Sequence, residues 1–408
     1  MHNKINVDPR GTDILGHGQF IISPFAIALA ASILYYAPVI ILQLYRYDLF
    51  GLYRTGLKIQ DPILSHGLIV LVLTFLLATA KAKFRIVLTP RVIQSDFFFW
   101  LIFIVYSCIS LVSLVILVVE LDLLTLAHDM IFEPLQFALK LAMVGVKLSE
   151  GGLLKFYLLI HFLPVLWYLW VTKYECKRWF FLRKLFLFVF FAVIFFIFVL
   201  LTRRELIIYL ILILLIGFGG RIKKAYLISV MAFVVAIFIY LVSMRLGDVD
   251  FGVEMYFTSE EFYPFQLSLF LLDEWIRQPY MRDLLQITPA VLFTDMPTTI
   301  SPSVMSTYFN HNAAGPTVGL PYGVVAFGVV YPCVYIVANF IFLNQIRALA
   351  SRGRANGALI PLYAFLLLKL FLLVRNGEFF NHFLDTLLFV TLYLPFVFVT
   401  SRVQHGKN

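Results

Sequence analysis

A long polar stretch, residues 245–323, holds most of the side chains that could do chemistry in this sequence. Within it, His311 is followed by Asn312 in a segment dense in proline, glycine, serine and threonine. An imidazole titrates near neutral pH, so His311 could act as a general base on a hydroxyl group, although it could also be a loop histidine without a role. A carboxylate base is the rival interpretation, and its candidates are Asp248, Asp250 and Asp295.

Several arginines form a second set of candidates, because most of them stand at the ends of strongly apolar segments. A guanidinium is always charged and binds phosphate oxygens through two parallel hydrogen bonds. Several of them at one depth could bind a diphosphate. The alternative is that each one snorkels or pairs with a nearby carboxylate such as Glu205. The candidates for a diphosphate site are Arg203, Arg204, Arg245, Arg282 and Arg375.

Other catalytic and metal motifs are missing from the sequence. It has no glycine-rich phosphate loop with Lys-Ser/Thr, no His-Glu-x-x-His and no nucleophile elbow. Asp248 and Asp250 could contact a divalent cation, but no second cluster stands at ligand spacing. The three cysteines lie in or beside apolar segments, which indicates neither a disulfide framework nor a thiolate site. We therefore predict no metal and no cofactor.

The composition indicates a polytopic, all-α membrane protein. Of the 408 residues, 62% are hydrophobic and only 13% are charged, whereas about half and a quarter are usual for a soluble domain. The formal charge of +9 comes largely from short basic clusters at the ends of apolar segments. Such clusters determine membrane topology, so the charge does not predict nucleic-acid binding.

Ten apolar segments are candidates for membrane-spanning helices within a single integral membrane domain, residues 1–408. Most of them reach the roughly 20 residues that a helix needs to cross a hydrocarbon core of about 30 Å. The predicted spans are 21–44, 62–80, 97–119, 153–172, 184–201, 205–219, 223–244, 324–343, 357–374 and 379–400.

The placement of lysine and arginine predicts the orientation of these spans. Basic clusters follow the second, fourth, sixth, eighth and tenth spans, and all of them therefore fall on one side. The positive-inside rule makes that side cytoplasmic, with both termini there. The stretch 245–323 then becomes a large loop on the outer face. A further segment, 124–148, is fairly apolar but carries several charges, and we predict an interfacial or re-entrant helix on the outer face.

The layout resembles the Wzy-type polymerases of O-antigen and oligosaccharide repeat units. Those are membrane proteins of similar length with ten or more spans and one large periplasmic loop near the C-terminal third. The local pattern is also similar: TRREL at 202–206 opens a short helix, and the basic turn RIKK stands at 221–224. GPTVGLPYGVVAFG at 315–328 resembles the family's passage from loop into span. His311-Asn312 is similar to a pair found in the related O-antigen ligases.

This resemblance implies a membrane glycosyltransferase of the GT-C-like, all-helical type in the bacterial inner membrane. Two undecaprenyl-diphosphate oligosaccharides would meet at the periplasmic face, and the growing chain would be joined to a sugar hydroxyl of the incoming unit. Arg204, Arg245 and Arg375 would bind the diphosphate, and His311 would be the base. The implied partners are membrane lipid, a chain-length regulator and a repeat-unit flippase.

Two other classes of function stay open on the sequence. One is an O-antigen ligase or another outer-face glycosyl- or acyltransferase, which the sequence separates poorly from a polymerase. The other is a transporter or flippase for lipid-linked oligosaccharide. A transporter should carry charges along a path through the membrane, and within the predicted spans Lys369 and Asp385 are the main charges of this kind.

Overall fold

A computed structural model describes the chain over twelve helices and a few further positions, and the statements below concern that part. The described residues are 22–45, 62–82, 96–133, 136, 137, 140, 144, 153–173, 180–201, 204–218, 272, 273, 320–327, 330–351, 359–377 and 379–399. In these ranges the secondary structure is helical and contains no strand. The predicted all-helical fold class is confirmed at this level.

The helices are numbered in chain order. They are α1 (Pro24–Tyr45), α2 (Pro62–Lys81), α3 (Asp96–Glu120), α4 (Leu123–Phe132), α5 (Leu154–Ile160), α6 (Phe162–Lys173), α7 (Phe180–Leu200), α8 (Arg204–Phe218), α9 (Leu320–Phe327), α10 (Val330–Ser351), α11 (Leu359–Asn376) and α12 (Phe379–Val399).

Three helical stretches in the described part are long and apolar enough to cross a membrane. They are Ile63–Lys81, Phe97–Glu120 and Pro332–Leu349. Their outward faces are rich in large apolar side chains, as on α3, where Val115 is 60% exposed. Exposed apolar surface of this extent fits a hydrocarbon environment, because soluble proteins bury most such surface.

Helix α11 is the centre of the bundle. It packs against α1, α6, α8, α9, α10 and α12, and its residues from Leu359 to Val374 are buried except Lys369 and Phe371. A helix that is apolar on nearly every face suits the core of a bundle, where neighbouring helices cover it all round. Gly377 caps the C-terminal end of α11. Its φ is 65°, and its N–H donates a hydrogen bond to the Leu373 carbonyl (2.9 Å), as in a left-handed C-terminal cap.

Hydrogen bonds establish the directions of the helices around α11. The Tyr363 hydroxyl donates to Ile22 O (2.6 Å) and the Tyr36 hydroxyl donates to Val374 O (2.9 Å), so α1 and α11 run in the same direction. Helix α9 begins beside the end of α11, since Leu320 N–H donates to the Tyr36 hydroxyl (2.6 Å). Helix α10 follows α9 and therefore runs back towards the start of α11.

Helix α2 lies beside α1, α9 and α10. Ala82 directly follows α2, and its carbonyl accepts a hydrogen bond from the side-chain amide of Asn344 (3.2 Å). Asn344 lies in the final third of α10, so the C-terminal end of α2 lies near the C-terminal end of α10. The first turns of α2 therefore lie at the end of the bundle where α1 and α11 end. This end is called the Arg375 end below.

The predicted span 153–172 consists of two helices in the structure. Helix α5 ends at Ile160, His161 adopts a turn, and α6 begins at Phe162. Pro164 explains the interruption, because it has no N–H to donate to the Ile160 carbonyl and its ring crowds that carbonyl. Proline is tolerated in the first turn of the new helix that follows.

The predicted span 324–343 also has different bounds in the structure. The chain becomes helical at Leu320, inside the stretch predicted as loop, and α10 continues to Ser351. Pro321 stands in the first turn of α9, where a residue without an N–H fits a helix start. The predicted span 223–244 lies outside the described residues.

Helix α4 covers the first part of the segment predicted as interfacial or re-entrant, 124–148. Its 10 residues correspond to about 15 Å, too short to cross a membrane. Leu123 and Leu126 are buried while Leu124 and Phe132 are exposed. Asp129 accepts a hydrogen bond from Lys140 (2.5 Å), and this bond lowers the pKa of the Asp129 carboxyl below its usual value.

Candidate functional site

Arg375 stands at the last turn of α11, as the sequence predicted for a helix-end arginine. Its guanidinium carbon lies 5.8 Å from the centre of the Tyr35 ring on α1, within the distance of a cation–π interaction. The side chain is half-buried. A cation at this end of a helix also interacts favourably with the helix dipole.

Tyr36 ties the long polar stretch to this arginine. Its hydroxyl, buried at 2% exposure, accepts from Leu320 N–H and donates to Val374 O. Leu320 belongs to the last residues of the stretch 245–323, and Val374 directly precedes Arg375. One hydroxyl thus joins the return of the long stretch to the turn that carries the arginine. We call Tyr35, Tyr36, Leu320, Val374 and Arg375 the Arg375 junction.

A second contact of the long stretch lies on α2. Asp273 is fully buried and accepts a hydrogen bond from the Ser65 hydroxyl (2.9 Å). His66, which follows Ser65 in α2, is 9% exposed and interacts electrostatically with the Asp273 carboxylate. Neither ring nitrogen of His66 has a hydrogen-bond partner in the described part of the chain. We call Ser65, His66 and Asp273 the His66 site, which lies at the Arg375 end.

Most of the predicted site residues lie outside the described part of the chain. These are the base candidates His311 and Asp295 and the diphosphate candidates Arg203, Arg245 and Arg282. The backbone of Arg204 begins α8, and α8 packs against α11. Of the seven predicted site residues, Arg375 is the one whose side chain the structure describes.

A polar cluster within the bundle was not predicted from the sequence. Lys369 of α11 donates to Asp385 of α12 across 2.8 Å. On the neighbouring helices, the Tyr157 hydroxyl of α5 donates to Glu205, the second residue of α8. His161, at the interruption between α5 and α6, lies between these pairs and interacts electrostatically with Lys369, Glu205 and Asp385. We call these five residues the Lys369 cluster.

Aromatic rings lie against His161 and Lys369 in this cluster. His161 contacts the rings of Tyr157, Tyr209 and Phe365 at centroid distances of 5.1, 6.0 and 5.9 Å. The Lys369 ammonium lies 5.5 Å from the centre of the Phe365 ring. His161 Nδ1 is 3.1 Å from the Tyr157 carbonyl, so this imidazole has a hydrogen-bond partner, unlike His66.

The sequence offered a partial signal for this cluster. Charged residues within apolar helices are costly and usually face one another or a cavity. The sequence indicates Lys369 and Asp385 on that ground, because both are charges within predicted spans. It predicts Glu205 only as a helix-end partner for an arginine. The link between the pairs depends on His161, which occupies the interruption before Pro164. Across the described residues, no group of three or more His, Cys, Asp or Glu side chains could hold a metal ion.

Comparison with known proteins adds no further information about the site. No protein family, curated protein or solved structure matches this chain.

Proposed function

We propose that this protein is an O-antigen polymerase, a glycosyltransferase of lipopolysaccharide biosynthesis. It joins oligosaccharide repeat units carried on undecaprenyl diphosphate at the periplasmic face of the bacterial inner membrane. In this proposal the chain has about ten spans and both termini are cytoplasmic, because the basic clusters all fall on one side. The stretch 245–323 covers the reaction site from outside.

The Arg375 junction is the observation that carries this proposal. A polymerase of this kind needs a fixed cation near the membrane surface, close to the polar segment that contributes to substrate binding. At the junction, Tyr36 joins the returning end of the long stretch to the turn that holds Arg375. The His66 site adds a second contact of the same stretch with the Arg375 end.

The proposed reaction is a glycosyl transfer. A hydroxyl oxygen of the incoming unit forms a bond to the anomeric carbon of the growing chain. The bond from that carbon to the carrier diphosphate breaks, and the diphosphate leaves with the electron pair. The hydroxyl proton passes to a base on the protein. Arg375 neutralises the charge that develops on the leaving diphosphate, which lowers the barrier without a metal.

The test is polymerisation in vitro by the purified protein with lipid-linked repeat unit as sole substrate. We expect a ladder of products from the wild type. Arg375→Ala should lower the rate by about 10²–10³-fold, by analogy with the loss of one oxyanion donor. Arg375→Lys should restore the rate only in part, because an ammonium cannot form the bidentate contact.

Arg347→Ala is the matched control for this experiment. Arg347 lies near the opposite end of the bundle, in the last turns of α10, and its replacement should leave the product ladder unchanged. Equal rates for Arg375→Ala and wild type would exclude Arg375 as a diphosphate ligand. In the source bacterium, deletion of the gene should remove every lipopolysaccharide band beyond core plus one repeat unit, and the band of core plus one unit should stay. Loss of a ligase would remove the band of core plus one unit as well.

A flippase for lipid-linked oligosaccharide is the second candidate, and the Lys369 cluster is the observation that favours it. Charged groups inside a helical bundle often mark a path for a polar substrate. Interrupted helices are frequent at the binding sites of transporters. His161 stands at such an interruption and lies between the two charged pairs of the cluster. Proteoliposomes with a fluorescent lipid-linked oligosaccharide separate the two functions: translocation without elongation would support the flippase, and elongation would support the polymerase.

A further inference from the structure

We infer that His66, supported by Asp273, is the general base that deprotonates the acceptor sugar hydroxyl. This inference rests on the proposed polymerase function and assigns to a helix residue the proton transfer that the sequence suggested for His311 or Asp295. Three features of the His66 site carry it: an imidazole without a partner, a buried carboxylate beside it, and a position where the long stretch meets α2.

The first feature is the state of the imidazole. His66 is buried, and both of its ring nitrogens are without a hydrogen-bond partner among the described residues. A buried polar group without a partner is uncommon in proteins and asks for an explanation. A substrate hydroxyl would supply the missing partner when it binds.

The second feature is the buried carboxylate. Asp273 is 0% exposed, accepts a hydrogen bond from the Ser65 hydroxyl and interacts electrostatically with His66. An imidazole becomes positively charged when it takes a proton, and a nearby carboxylate stabilises that charge. Asp273 therefore favours the product of proton transfer to His66.

The third feature is location. His66 is the fifth residue of α2, about 6 Å along the axis from the start of the helix. That position lies at the Arg375 end and close to the helix terminus, where the diphosphate and first sugar of a membrane-held substrate would be. Asp273 comes from the long stretch, so the proposed dyad joins two segments that are far apart in the sequence.

The proton balance of the step is simple. The lone pair on one ring nitrogen of His66 accepts the proton of the acceptor hydroxyl while the oxygen forms its bond to the anomeric carbon. The electron pair of the broken bond leaves with the diphosphate, and His66 later returns its proton to water. No oxidant, reductant or further reactant is needed.

The experiment measures the polymerisation rate and the thermal unfolding midpoint of His66→Leu and His66→Gln. We expect kcat to fall by about 10²–10⁴-fold, the usual contribution of a general base, with KM little changed. The midpoint of His66→Leu should stay the same or rise, because a buried group without a partner can be replaced by an apolar one at little cost. A structural histidine would instead lower the midpoint and leave kcat near wild type.

Asp273→Asn tests the supporting role of the carboxylate. The double variant His66→Gln with Asp273→Asn should be no slower than His66→Gln alone, since Asp273 acts through His66. Additive losses would show that the two residues act separately and would overturn the dyad. His128→Leu is the control, because His128 is 61% exposed on α4 and should not affect the rate.

The same measurements distinguish this inference from the proposed function. If the wild type makes no polymer, the polymerase proposal fails. If the wild type makes polymer and His66→Leu does so at the same rate, the base assignment alone fails. Loss of polymer in His311→Gln together with normal polymer in His66→Gln would move the base to His311.

Discussion

Two histidines in apolar segments have different surroundings, and the difference separates two regions of the molecule. His161 has a hydrogen-bonding neighbour at Nδ1 and is enclosed by aromatic rings within the Lys369 cluster. His66 has no hydrogen-bond partner in the described part, although a buried carboxylate lies beside it. The Lys369 cluster is satisfied by the protein's own groups, whereas the His66 site offers hydrogen-bonding capacity to another molecule.

Packing differs between the two regions in the same sense. Gly217 on α8, the helix that carries Glu205, lies against the Tyr168 ring so closely that a Cβ would overlap it. Gly67, beside His66, has nothing within 4 Å of the corresponding position. Gly217 is buried and Gly67 is exposed, so an added methyl group finds room at one position and none at the other. Unfolding in detergent tests these contrasts, with hydrogen exchange for the variant at the Arg375 junction.

The largest effect on stability should come from Asp385→Leu in the Lys369 cluster. The Lys369 side chain is 11% exposed, and the variant removes the carboxylate that its ammonium contacts at 2.8 Å. Breaking a buried ion pair costs about 3–5 kcal/mol, and we expect about 3 kcal/mol because Asp385 is itself 46% exposed. The measurement is the free energy of unfolding of the variant against wild type.

The double variant Lys369→Met with Asp385→Leu is its control. Replacing both partners by apolar residues of similar volume removes the uncompensated charge, so most of the lost stability should return. A double variant as unstable as Asp385→Leu would mean that the pair contributes through packing, and the cluster would lose its electrostatic interpretation.

The second prediction compares the two glycines directly. Gly217→Ala should cost about 1–3 kcal/mol of unfolding free energy, because the new methyl group must displace the fully buried Tyr168 ring. Gly67→Ala should instead stabilise α2 by up to about 1 kcal/mol, since alanine has the higher helix propensity and meets no neighbour. Equal effects of the two changes would remove the packing contrast between the regions.

The smallest effect should come from Tyr36→Phe at the Arg375 junction. Loss of the hydroxyl leaves the Leu320 N–H without its acceptor, at a cost of about 1–2 kcal/mol. Hydrogen exchange at residues 320–327 should become faster, because the start of α9 loses its tie to α1. Tyr363→Phe is the matched control. It removes a single hydrogen bond, to the Ile22 carbonyl, and should leave hydrogen exchange in α9 at the wild-type rate. If Tyr36→Phe also left exchange in α9 at the wild-type rate, the proposed link between α1 and α9 would be refuted.

Several features of the fold could be predicted from the sequence because they depend on local apolar length. The predicted spans 62–80 and 97–119 agree closely with α2 and α3. The interruption at His161 and the start of α9 at Leu320 were missed. Both depend on a proline, Pro164 or Pro321, whose position in a first helical turn was not used in the prediction.

The candidate site was predicted less completely, for a physical reason. Arg375 could be recognised because a charged residue that follows an apolar run must lie near its end. His66 and His161 could not be distinguished, because each is a single histidine within an apolar run. Their roles depend on neighbours that come from other segments of the chain.

The sequence by itself determined which segments are apolar helices and which residues are available for chemistry, since hydrophobic length and residue type are properties of the local chain. Tertiary structure alone decided which of those residues meet. The bond between Ser65 and Asp273 joins positions 208 residues apart, and the bond between Tyr36 and Leu320 joins positions 284 apart. Such contacts are selected by how the helices pack around α11, which no local pattern of residues specifies.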